Sequence, residues 1–89
     1  MKTVWKYTLS TRESVRQIPI GAEFLSMGVQ GDIICLWFLI PDTEAKKEQR
    51  VFEIFGTGQA IPSFGGLKFI GTMVSQNVEM VWHVFEVRA

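Results

Sequence analysis

"IICLWFLI", Ile33 to Ile40, is the stretch whose reading decides the fold. It is apolar throughout, yet far short of the ~20 residues that cross a bilayer as a helix. Its Ile, Trp and Phe favour a pleated strand over a buried helix. Both faces of such a strand are apolar. It therefore sits centrally, covered on both sides or on one side by a partner subunit.

Working outward, Gly31-Asp32 is a turn pair of hairpin size that joins this strand to "EFLSMGVQ". Period two there puts Leu25, Met27 and Val29 on one face, with Phe24, Ser26, Gly28 and Gln30 on the other. Further upstream, "TVWKYTL" alternates Trp5, Tyr7 and Leu9 against Lys6 and Thr8, which marks a half-buried strand. "STRES" interrupts it, and Val15 to Ile18 reads as a short second strand. Pro19, with no ladder donor, confines the residues after it to an edge or a turn.

Downstream, "PDTEAKKEQR" reads as a solvated loop. The alternative is one helical turn, capped by Asp42 or Thr43 and running through Lys47. "RVFEIF" sets Phe52 and Ile54 against Val51, Glu53 and Phe55. In "LKFIGTMV", Leu67, Phe69 and Met73 share a face with Gly71, a glycine that suits a bulge. "SQN" turns the chain. "VEMVWHVFEVR" places Val78, Met80, Trp82 and Val84 opposite Val81, His83, Phe85 and Val87. The expectation is one all-β domain over residues 1–89: an antiparallel sandwich or small barrel of six to seven strands, with little or no helix.

Composition narrows the setting. Nine Lys and Arg balance nine Asp and Glu, so the footprint for duplex nucleic acid or an anionic membrane is missing. Cys35 is the one cysteine, which excludes an intrachain disulfide, and no Cys/His cluster offers a zinc site. No cofactor or metal is expected. "MKTVWKYTLS" lacks the apolar core of a signal peptide, which points to the cytoplasm. Seven Phe, three Trp and one Tyr in so short a chain exceed what a small core needs and lean towards a homo-oligomer.

"FGTGQAIPSFGG", Phe55 to Gly66, is the stretch most suggestive of a binding site. It is long for a hairpin turn, and long loops in compact domains tend to carry function. Gly56-Thr57-Gly58 suits an anion-binding nest of backbone N–H groups. Thr57 and Ser63 add hydroxyls and Gln59 an amide. No Lys-Ser/Thr pair completes a P-loop, and no helix follows to make a dinucleotide fingerprint. The competing reading is architectural: glycines placed for positive φ in successive turns.

His83 lacks sequence-level partners for acid–base or metal chemistry and reads as half-buried. Cys35, within the most apolar segment, reads as structural. With no nucleophile or paired-carboxylate motif, a non-catalytic protein is expected. Trp5, Tyr7, Trp37, Phe38, Trp82 and Phe85 read first as core and interface rings, since base stacking by such rings also wants a basic groove. Arg50, Lys68 and Arg88 lie near strand ends. Convergence of these cations on the glycine loop would suit a small anionic ligand.

An ordered set of segments spans nearly the whole chain: "VWKYTL", "PIGAEFLSMGVQ", "LWFLI", "FEIFGTGQAIP", "FIGT" and "VWHVFE". It resembles a family of small uncharacterised proteins encoded by tailed bacteriophages and prophages. Gly56, Thr57, Gly58, Trp82, His83, Phe85 and Glu86 match its most distinctive parts. The resemblance implies a bacteriophage accessory protein in a bacterial host cell. Counter-defence proteins of that setting sequester nucleotide signals as symmetric oligomers. The candidate ligand-binding set is therefore Gly56, Thr57, Gly58, Gln59, Ser63, Trp82 and His83, with a small anionic nucleotide-like molecule as ligand. The alternatives are a protein–protein interaction module that inhibits a host factor and a minor virion component.

Overall fold

A computed structural model describes residues 1–10, 12–62, 66–75 and 80–88. Seven strands succeed one another: β1 (Thr3–Leu9), β2 (Glu13–Pro19), β3 (Glu23–Gln30), β4 (Ile33–Ile40), β5 (Lys47–Gly56), β6 (Leu67–Val74) and β7 (Val81–Val87). They form two antiparallel sheets, ordered β1-β4-β3 and β2-β5-β7-β6. The chain is an all-β sandwich. Among the described residues no helix is long and apolar enough to cross a membrane.

The eight-residue apolar run is β4, the middle strand of the three-stranded sheet. Ile34, Leu36, Phe38 and Ile40 point inward. They meet Phe52, Ile54 and Val84 of the opposite sheet in one core, joined by Leu9 and Ile18. Phe38 is at its centre, with Tyr7, Phe24 and Phe52 rings 5.7–6.2 Å away at steep angles. Each such pair adds to the burial of the rings.

Two bulges correct the period-two faces. On β3 the register shifts between Phe24 and Ser26, so Leu25 is the extra residue. Phe24 turns inward with Met27 and Val29, and Leu25 is left 47% exposed. On β6 the shift lies between Phe69 and Gly71. Ile70 and Gly71 face the core side, while Phe69 points out. The glycine does mark a bulge, and Met73 shares its face, but the bulge puts Leu67 and Phe69 on the opposite one. A Cβ on Gly71 would lie 2.7 Å from the Met27 terminal methyl, so its lack of a side chain lets Met27 reach across.

The stretch after β4 is a turn, not a helix. Asp42 accepts the Glu44 amide at 3.0 Å and its own carbonyl takes the Ala45 amide. The chain is in β5 from Lys47, earlier than its polar residues suggest, because Glu48 and Gln49 pair with Ile18 and Gln17 of β2. Pro19 ends β2, an edge strand, as its missing donor requires.

β5 and β6 both run antiparallel to β7, which lies between them, so they are parallel to each other. The segment joining them is thus a crossover, not a hairpin turn. β5 ends opposite Trp82 and β6 begins opposite Val87, five residues further along β7. The connection must cover roughly 17 Å along the strands and roughly 10 Å across them. That span accounts for the length of Thr57–Gly66 with no ligand invoked.

Candidate functional site

The start of the crossover is held by its own groups. Gln59 donates its amide N–H to the Gly56 carbonyl at 3.0 Å, and its side-chain oxygen accepts the Gly56 N–H at 3.0 Å. The Thr57 N–H reaches the Val81 carbonyl at 3.3 Å. Gly58 sits at φ +86°, the left-handed conformation that a tight turn asks of its third residue. The N–H groups of Gly56, Thr57 and Gln59 are therefore committed within the fold. The architectural reading of these glycines accounts for the geometry, and the anion-nest reading loses two of its donors, the Gly56 and Thr57 N–H groups.

His83 and Trp82 are adjacent on β7 and point to opposite sides of the sheet. Trp82 faces inward and packs against the core. It lines a recess at one end of the sandwich with Leu9, Val29 and Ile34. His83 faces outward, where Thr57 Oγ1 lies 2.8 Å from Nε2 and Thr72 Oγ1 lies 3.0 Å from Nδ1. A hydroxyl donates or accepts as needed, so the two threonines suit either tautomer. The candidate set is thus divided: Thr57 meets His83, Gln59 meets Gly56, Trp82 lies on the other side of the sheet, and Ser63 is outside the described residues.

The crossover leaves over the outer face of the four-stranded sheet. Gln59, Ala60 and Pro62 line a recess with Phe55 and Glu53. Phe55 and Phe85 point away from the core, yet are only 8% and 6% exposed. Their rings meet at 5.9 Å, and Phe69 adds a third ring 5.5 Å from Phe85. Glu13 and Glu53 stand directly opposite each other at this recess, with Arg12 beside them. Paired carboxylates raise the cost of bringing an anion there.

Arg50, Lys68 and Arg88 do converge, but not on the GTG end. They line a groove at one end of the sandwich, together with Glu48, Glu86 and Ile70. At its base Arg50 grips Glu86 with two bonds, Nε to Oε2 at 2.6 Å and Nη2 to Oε1 at 2.8 Å. Nη1 reaches the Ala22 carbonyl at 3.3 Å, and the guanidinium lies 4.9 Å from the centre of the Phe38 ring. The hydrogen bonds that Arg50 donates to Glu86 raise the Arg50 pKa, outweighing the opposing effect of burial. Tyr7, also in the interior, is raised by burial and partly lowered again by the Arg50 charge. Among the described residues of the glycine stretch, it is Gly66 at the far end that reaches this groove, where the Arg88 N–H donates to the Gly66 carbonyl.

A family model matches residues 1–89 from end to end. The chain belongs to the DUF7352 family, described as a domain of unknown function. No curated protein and no solved structure matches it.

In this DUF7352 chain, two features escape a reading along the sequence. The Arg50–Glu86 pair joins residues 36 apart. Glu86 stands out in the sequence only through the family resemblance, although its parity with Trp82 and Val84 already turns it inward. The second feature is Arg16, which donates to the Thr8 carbonyl at 2.9 Å and the Val15 carbonyl at 2.7 Å. It thereby bridges the neighbouring edges of the two sheets. Its signal is a charged residue in a short strand, which resembles any solvated lysine or arginine.

Proposed function

We propose that this domain is a non-catalytic bacteriophage accessory protein that works by protein association, as a homo-oligomer. One observation carries the reading. Among the described residues the three-stranded sheet is packed on one side only, and its other face presents Val4 and Ile33 at 50% and 51% exposure, with Trp37 and Leu39 between strands β1 and β3. Apolar surface left exposed on a small domain marks an interaction site. The phage setting is supported by the sequence resemblance alone. Sedimentation velocity of the purified chain over a wide concentration range tests the association. A rising weight-average mass supports it, and a constant monomer mass at every concentration overturns it.

A second reading is favoured by the convergence of Arg50, Lys68 and Arg88 in one groove. There the small anionic nucleotide-like ligand is bound away from the GTG turn, and a counter-defence role by sequestering a nucleotide signal belongs to this reading. Glu48 and Glu86 in the same groove oppose it. Thermal shift with cyclic nucleotides and ADP-ribose derivatives is the test. A ligand at 100 times its dissociation constant stabilises by about 2.7 kcal/mol. The shift should vanish in the Lys68→Ala/Arg88→Ala variant, and no shift with any nucleotide removes the reading.

A further inference from the structure

We infer that the occupant of the bare sheet face is a second copy of this chain, stacked face to face about a two-fold axis that runs along β4. The inference rests on the association reading above and specifies its surface and geometry.

The edges of the sandwich are poor places to add a strand. On one side, Arg16 occupies the Thr8 and Val15 carbonyls of β1 and β2. On the other side, both β3 and β6 carry bulges, which twist an edge away from regular pairing. Association through a face is what remains.

The outer face of the three-stranded sheet is built for it. Trp37 and Leu39 of the middle strand form its centre, flanked by Val4 of β1 and Leu25 of the β3 bulge. The Trp37 ring lies flat enough over Gly28 that a Cβ there would stand 3.1 Å from it. Lys6, the charge nearest the centre, is drawn across β4 to Gln30 at 2.7 Å, and Cys35 beneath is almost fully buried. Lys6 and Ser26 stand directly beside Trp37 and Leu39 follows it along β4, so a large rigid aromatic, the usual anchor of a protein interface, sits at the centre of a mixed patch.

Charge selects the axis. Lys2 and Lys6 alternate with Val4 along the β1 side, whereas Glu23 lies on the β3 side opposite Leu39. An axis along β4 places β1 of one copy over β3 of the other, basic against acidic, and brings Trp37 and Leu39 against their own counterparts. An axis across the strands would set β1 over β1, lysine against lysine. An isologous contact of the first kind closes as a dimer. The strands of the two stacked faces would lie within about 30° of each other.

The size of the face sets the affinity. Three strands of about eight residues cover a footprint of roughly 14 Å by 26 Å. That is roughly 360 Å² per partner, below the usual size of stable interfaces, so the dimer is a weak, transient one, sought at concentrations on the order of 10–100 µM.

Sedimentation equilibrium on the full chain, with circular dichroism to confirm folding, is the experiment. The wild type should dimerise in this range. Val4→Glu and Leu25→Lys should each weaken dimerisation at least tenfold (on the order of one hot-spot contact) with unchanged spectra. Lys2→Glu lies just before β1, where it leaves the fold intact, and should weaken it too. Adding Glu23→Lys should restore it. Phe69→Glu, on the other sheet, should have no effect. A dimer lost with Phe69→Glu but kept with Val4→Glu and Leu25→Lys overturns this surface while leaving self-association standing. Failure of the charge swap to rescue Lys2→Glu overturns the axis. A wild type that is monomeric throughout overturns both the inference and the association reading.

Discussion

The two outer faces of this sandwich carry similar side chains and meet different fates. On the four-stranded sheet, Phe55 lies beside the start of the β5–β6 crossover and Phe85 packs against it and Phe69, and both are nearly inaccessible. On the three-stranded sheet, Val4, Leu25 and Ile33 stand about half exposed, with no third layer among the described residues. The sheet that needs a crossover gains a partial roof from it, since Phe69 and Val15 of the same sheet stay 55% and 43% exposed. The sheet built from β1 and the β3–β4 hairpin has no such segment to spare. An outward apolar residue therefore has two meanings in one small domain: part of a satellite core where the crossover starts, and open surface elsewhere.

Phe85→Ala should have the largest effect on this contrast, removing a ring packed against Phe55 and Phe69 at a cost of about 3 kcal/mol in chemical denaturation. A loss below 1 kcal/mol would mean that the rings are not truly covered. Next comes Gly66→Ala, at the far end of the crossover. Gly66 has φ +83°, and a Cβ would stand 2.7 Å from the Arg88 carbonyl oxygen. A loss of about 2 kcal/mol is expected, with faster amide exchange in the β6–β7 ladder as the local readout. Thr57→Val, which breaks one of the two hydroxyl bonds to His83, should cost about 1 kcal/mol. It should also shift the His83 ring resonances in proton–nitrogen spectra. Val4→Thr, on the bare face, should change the monomer's stability by less than about 0.5 kcal/mol. A larger loss in a dilute monomer would show that this face is already covered within one chain.

Much of the architecture is legible in the sequence because it is local. Period-two alternation locates the strands, the doubly apolar Ile33–Ile40 marks a sheet centre, and Gly71 marks a bulge. Strand order is not legible, because pairing of β7 between β5 and β6 is a long-range choice that no window of residues records. Without that order Thr57–Gly66 looks too long for its task, when its length is set by the span. The Leu25 bulge carries no glycine or proline to announce it, and it moves Phe24 into the core. The candidate ligand set carries its own warning. Trp82 and His83 are neighbours in a strand, and neighbours in a strand face opposite ways. Arg50, Lys68 and Arg88 do come together, but at a different place from the GTG turn.

The position of β7 also bears on how the domain is made. A nascent chain that has reached Val74 already holds β5 and β6, yet the strand that separates them is still to be synthesised. Two apolar strands must wait with their inner edges unpaired, and the crossover has no finished sheet to lie on. The four-stranded layer therefore closes in one late step, after Val87 has been added.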